Sequence, residues 1–456
     1  MISAKWRRRG RDAGLIVLGL TLLALAFAPS FQRADEVPQG REEVLFWHFW
    51  GGEDRQVVEQ VVQRFNASQS RYVVRPVAMP GNNLDLKLFL AVTGGDPPDL
   101  INLDDPIVAD WAHRGALMSL DELASAEELA ELDRWLTPAA RRLTHYDGRY
   151  YGMCNGLDVR ALYYDVTALE SLGLEPPRTI EQLDELAVRG FQADERGRPI
   201  RFGYLPDPRR LWNWGIVFGG DFYDESSQTL TLTDPKVAAA LGWMTSYRDR
   251  FGARAIAAYR QGDQSLPGKS FPLLSGRYVA VMDGQWRVRD IAAFQAEQRR
   301  QGQKATEFGV LPLPRPPQGF DEAGAVNGNV FLVPRGARQS HGAWEFMKYW
   351  TGFGGHEQQA ARTCVEGGWI PVSRQVSDTR LFQEYLSEQP LFAVFVELSQ
   401  SDRQRPVPVI PGAPYLKREV EQLAADAMYQ PYDESAMQLL ELAQPRIQRQ
   451  LEQARQ

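Results

Sequence analysis

The sequence predicts an α/β protein built as two lobes, and three observations carry that prediction. The chain has 456 residues, 44% hydrophobic and 24% charged, which is more than one core usually needs. A strand–helix–strand unit is legible between residues 44 and 79, the mark of a parallel sheet covered by helices. Finally, the extended segments "GLDVRALYYD" (156–165) and "NGNVFLVPRG" (327–336) sit between helical blocks and are long enough to cross from one lobe to the other.

Each element follows from its pattern. "VLFWHF" (44–49) reads as a strand, and Val57, Val58, Val61, Val62 and Phe65 recur at helical spacing behind it. "YVVRPVAM" alternates as a second strand, and "LKLFLAVTGGDPPDLINLDD" gives a helix, a glycine stop, a proline turn and a third strand ending in Asp104-Asp105. Gly51-Gly52 fall where the first strand hands over to the first helix, the strand end at which open α/β sheets bind ligands. Ser119 with Glu122 and Thr179 with Gln182 have capping-box spacing, and Asp234-Pro235 is a further helix start. A third crossing is expected near "GGWIPVSR" (367–374).

The formal charge is −7, from 51 basic and 58 acidic residues, without the basic footprint of a nucleic-acid binder. Residues 1–30 place Lys5, Arg7, Arg8, Arg9 and Arg11 before an apolar run from Ala13 to Ala28, the pattern of an export signal or of an uncleaved membrane anchor. Cys154 and Cys364 are the only cysteines and are compatible either with one disulfide or with two buried thiols.

Several chemistries are absent from the pattern. "GDQSLPGKS" (262–270) has the wrong spacing for a phosphate-binding loop, and the five histidines never pair with a carboxylate or cysteine at metal-ligand spacing. No cofactor or metal is expected. What recurs is tryptophan beside glycine and a polar residue: Trp50 in "FWGGED", Trp212 and Trp214 in "LWNWGIVFGGDF", Trp286 in "MDGQWRVRD" and Trp369 in "EGGWIPVSR". An indole can stack on the apolar face of a sugar ring while carboxylates and amides take its hydroxyls, so the set suits a carbohydrate cleft. Asp104, Asp105, Asp158 and Asp283 are the matching acids. They suit hydroxyl binding, the paired carboxylates of a glycoside hydrolase, or simple helix caps.

These segments resemble the extracellular solute-binding proteins of ABC importers, in the large sugar-binding family. "LFWHFWGGED", "TGGDPPDLINLDD", "GRYYGMCNGLDVRALYYDVTALESLG", "FPLLSGRYVAVMDGQWRV", "NGNVFLVPRGARQSHGAWEFMKYW" and "GGWIPVSRQ" carry the likeness, in order, from Val44 to the C-terminus. The resemblance implies a type II, periplasmic-binding-protein-like fold that closes on its ligand by bending crossover strands. Residues 41–157 with 327–366 would form one lobe, and 158–326 with 367–456 the other. It places Trp50 and Glu53 on the first rim, Asn82 and Asp104 on the same wall, and Asp158 at the hinge. Trp286 falls at the position of an aromatic sugar platform, Trp369 at the turn before a Gly-x-x-Pro segment, and Tyr415 at a second stacking position. Trp214 and Asn327 complete the candidate set. It further implies a non-enzymatic, exported monomer that delivers its sugar to permease subunits. Glycerol-3-phosphate is the alternative ligand within the family, and a sensor module an alternative role. Gln285 replaces the proline common in relatives, and "MCNGLD" replaces the usual proline-containing entry to the hinge strand.

Overall fold

The computed structural model describes residues 38–79, 84–264 and 271–456. The expected export segment, Asn82 and residues 265–270 of "GDQSLPGKS" lie outside them. Among the described residues no helix is long and apolar enough to cross a membrane. The elements that frame the molecule are β1 (Glu42–His48), α1 (Gly52–Ser68), β2 (Tyr72–Ala78), β3 (Leu100–Asp104), β4 (Gly152–Asp158) and β5 (Arg160–Asp165). They continue with β6 (Ala280–Gly284), α2 (Arg287–Arg300), β7 (Phe308–Leu311), β8 (Asn327–Leu332), α3 (Ser340–Thr351), α4 (Pro390–Ser399) and α5 (Ala413–Tyr429).

Two sheets organise the chain. The first has the order β2-β1-β3-β8-β4, with β1 parallel to both β2 and β3 and β8 antiparallel to β3 and β4. The second is the antiparallel β6-β5-β7. β4 and β5 are separated only by Val159, so the backbone leaves one sheet and joins the other within one residue. Close by, Gly324-Ala325 pairs in parallel with Gln404-Arg405, and Ile370 bridges Leu157.

The first sheet forms as its pattern predicts. Val44, Phe46 and His48 point inward from β1 in the period of two, and α1 buries Val57, Val58, Val61, Val62 and Phe65. Asp99 locks the layout: its carboxylate accepts from the Leu45 N–H at 2.8 Å and the Gln339 N–H at 2.7 Å. Gly52 adopts φ +58° at the turn into α1, a conformation that favours glycine. Glu53 and Asp54 follow in the first helical turn, where the helix dipole favours acids.

Burial corrects the expectations for Trp50 and Trp214 and decides between the two readings of the cysteines. Trp50 is only 7% exposed and stacks against Trp350 and Trp369, with ring centroids 5.6 and 5.3 Å away, so it is part of the core and not the rim. Trp369 is the outer member of that stack, packed on the same core. Trp214 is fully buried against Trp243 in a second aromatic cluster and cannot touch a ligand. Cys154 and Cys364 are separate buried thiols.

The helices after Trp369 span both sheets. Residues 380–388 pack on Glu357–Gly367 at the first sheet's side, while α4 packs on β7 and Phe395 meets Tyr163 at 5.5 Å. The capping boxes at Ser119 and Thr179 both form, the former on a single 3-10 turn.

Candidate functional site

The candidate site is built where the strand ends of the first sheet meet the β4–β5 crossing. Asp104 is the last residue of β3 and stands opposite Asn329 of β8, while Asn327 of β8 stands opposite Asp158, the last residue of β4. Three adjacent strands thus present a row of carboxylates and amides. Pro106 turns the chain after β3, which leaves Asp105 beneath the row, where it accepts from the Gly328 N–H at 3.0 Å. Asn329 donates to Asp104 at 3.0 Å.

Gln285, fully buried, fastens the crossing. Its amide donates to the Leu157 carbonyl at 3.0 Å and to Asp158 at 2.9 Å, and its oxygen accepts from the Val159 N–H at 3.3 Å. One side chain therefore holds both sides of the single residue that separates the two sheets.

The opposite wall is basic. Arg160 opens β5 in register with Gly284, and its guanidinium lies over the Trp286 ring, 4.5 Å from the centroid. Gly284 is required there, because a β-carbon would come within 2.3 Å of that ring. The turn Pro208–Arg210 is capped by Asp207, whose carboxylate accepts from the Arg209 N–H at 3.0 Å and from its guanidinium at 2.6 Å. α5 packs on this turn and adds Pro414 and Lys417, with Lys417 held by Glu421 at 2.5 Å.

A cavity of about 610 Å³ lies between the walls, lined by Phe49, Asp104, Asp105, Asp158, Asn327, Arg160, Arg209, Arg210, Trp212 and Lys417 among others. Of the sequence-derived candidates it gathers Asp104, Asp105, Asp158, Trp212 and Asn327. Trp286 supports Arg160 without lining the cavity. Tyr415 is turned toward Arg418 and Arg446 while its neighbours Pro414 and Lys417 face the cavity. Glu53 is exposed and does not line the cavity; it and Asp54 meet Arg289 of α2 at 3.8 and 3.0 Å. The missed residues are Phe49, Arg160, Arg209, Arg210 and Lys417. Their only sequence signal is that two arginines follow Asp-Pro at a turn.

Burial governs the site's ionisation. It raises Asp105 to about 7 against the help of the Gly328 N–H. Burial also raises Asp158, with Arg160 pulling the other way, and raises Asp104, to which the charge of Asp158 adds. Asp104 keeps an open side to the cavity while protein surrounds it elsewhere, so solvent reaches it without fully hydrating it. Arg160 is lowered to about 10, first by burial and then by the charge of Arg210. Among the described residues no cluster of His, Cys, Asp and Glu has the geometry to hold a metal ion.

Comparison with known proteins agrees with this architecture. The chain is 22% identical to the mannotriose-bound CpMnBP1, with a TM-score of 0.74, covering 89% of this chain and 100% of that one. It is 27% identical over 51% of its length to a protein described as a probable sugar-binding periplasmic protein of Rhizobium meliloti (strain 1021). It is 24% identical over 59% of its length to the diacetylchitobiose binding protein DasA of Streptomyces coelicolor (strain ATCC BAA-471 / A3(2) / M145). The chain spans 56% and 59% of the lengths of these two relatives. Residues 60–387 match the family described as bacterial extracellular solute-binding protein. The chain belongs to the bacterial extracellular solute-binding proteins.

Proposed function

We propose that this protein is the extracytoplasmic binding component of an ABC importer, capturing a sugar or oligosaccharide and delivering it to membrane permease subunits. The observation that carries this reading is the cavity of about 610 Å³ whose walls come from both sheets, within the size range of small-molecule sites. A ligand that touches both walls favours the closed arrangement over the open one. Bending falls at Val159 and at the neighbouring pairings of Gly324-Ala325 and Ile370. Residues 41–157 with 327–366 then move against 158–326 with 400–456, and residues 367–399, whose helices pack on both sides, bridge them.

The carboxylate–amide row supplies acceptors and donors for sugar hydroxyls, and no chemistry is required of it. The role is binding without turnover. Family membership and sugar-binding relatives support this reading and an exported location. Titration of the purified protein with mono-, di- and trisaccharides, read by tryptophan fluorescence and thermal shift, tests it. A saturable response that Asp104→Ala abolishes, with the sugar recovered intact, is expected. Cleavage of the sugar, or silence toward every carbohydrate, would sink the reading.

A further inference from the structure

The charges around the cavity do not balance in the same way on its two walls. Arg209 is held by Asp207, and Lys417 by Glu421. Asp104, Asp105 and Asp158 each receive a hydrogen bond from the protein, from Asn329, Gly328 and Gln285. Arg160 and Arg210 are different. Arg160 is 8% exposed, yet its Nε and Nη1 have no hydrogen-bond acceptor, and the buried Nε of Arg210 has none either. Neither guanidinium has an ion-pair partner among the described residues, although both line the cavity. A buried cation without an acceptor is costly, and the charge of the half-buried Arg210 beside Arg160 adds to that cost. Trp286 supports Arg160 from beneath through its ring face, an interaction that leaves the guanidinium N–H groups unspent.

We propose that the ligand is an acidic sugar whose carboxylate is received by Arg160 and Arg210, a uronic acid unit by chemical class. This rests on the sugar-binding reading above and narrows it. The planar fork of a guanidinium matches a carboxylate in bidentate geometry. The two oxygens of one carboxylate offer acceptors to both guanidinium groups, while the hydroxyls of the same ring face Asp104, Asp158 and Asn327. A doubly charged phosphate fits less well, because the acidic row across the cavity repels it. The assignment also explains why a cavity in a protein of net charge −7 keeps two arginines without ion-pair partners.

The test is calorimetric titration of the purified protein with free galacturonate and mannuronate, with their di- and trimers, with the methyl esters of the same compounds, with the neutral oligosaccharides of matching length, and with sugar phosphates. The expected result is that an acidic compound binds and that its methyl ester, which keeps the ring and removes the charge, binds at least about tenfold more weakly. Monomers against oligomers distinguish a free sugar acid from the end of a chain. Arg160→Gln and Arg210→Gln should each weaken the acidic ligand on the order of tenfold to a hundredfold. Neither should lower the melting temperature of the unliganded protein, whereas loss of a merely structural arginine would. Neutral sugars binding as tightly as acidic ones would overturn the assignment and leave the sugar-binding reading standing. A preference for sugar phosphates would overturn the carboxylate. Silence toward every sugar, charged or neutral, would defeat the underlying reading instead. The ester comparison uses the unmodified protein, so it decides the matter even if a variant fails to fold.

Discussion

The two walls of the cavity carry opposite charge, but the more instructive difference lies in how that charge is held. On the first wall Asp104, Asp105 and Asp158 are each met by a donor from the protein itself. On the second, Arg160 and Arg210 are left without acceptors. Polar groups already satisfied by their own fold shape a site, whereas buried groups left unsatisfied point to what is missing from it. The first wall therefore serves as scaffold with hydrogen-bonding capacity to spare, and the second as the part that selects.

The largest effect is expected from removing the support of the first wall. Trp350 packs against both Trp50 and Trp369, which also touch each other, and meets Phe331 of β8 edge-on at 5.3 Å. Trp350→Ala should cost about 3–5 kcal/mol in urea unfolding and carry ligand binding with it. A loss below about 1 kcal/mol would mean that the stack is dispensable. Next comes Asp105→Asn, which keeps an oxygen acceptor for the Gly328 N–H. Burial raises the folded pKa of Asp105 to about 7, above its unfolded value, so the native state holds the extra proton across the interval between. This group's contribution is therefore present at acid pH and is lost as pH rises through 7. The asparagine variant should gain stability over the parent at pH 8, up to roughly 4 kcal/mol, and nothing near pH 4. An equal gain at both pH values would contradict the assignment.

Gln285→Ala removes three hydrogen bonds from the β4–β5 crossing. A loss of about 1–3 kcal/mol in stability is expected, with hydrogen exchange at Val159 and its neighbours accelerated ahead of global unfolding. Exchange unchanged there would show that the crossing is held by other means. The smallest effect belongs to Arg289→Gln, which breaks an ion pair between α1 and α2. That half-exposed pair with Asp54 is worth under about 1 kcal/mol, so melting should hardly change. Small-angle scattering of the unliganded protein should nonetheless report a more open average, and added salt should reproduce the change in the parent.

Much of the fold was legible because its signals are local. The alternation of β1, the spacing of Val57 to Phe65, the caps at Thr179 and Asp234, and the crossing at 156–165 each follow from a few neighbouring residues. The tryptophans were misread for the same reason. Trp50 and Trp214 stand beside glycines as a sugar platform would, yet what decides their burial is Trp350 and Trp243, distant in sequence. Asp104 drew notice at the end of its strand and Asp158 and Asn327 through the family resemblance, and the fold brings all three to one cavity. Arg160 and the Arg209-Arg210 pair look like ordinary solvated charges until the fold brings them to one cavity.

The placement of Asp105 has one more consequence. Burial raises the Asp105 carboxyl to about 7 at the cavity wall, so a ligand that displaces water there should change its proton occupancy. Capture and release should then exchange protons with the medium, and the heat of binding measured at pH 7 should vary with the ionisation enthalpy of the buffer. A binding protein working in a compartment whose acidity follows its surroundings would thereby have its affinity linked to that acidity.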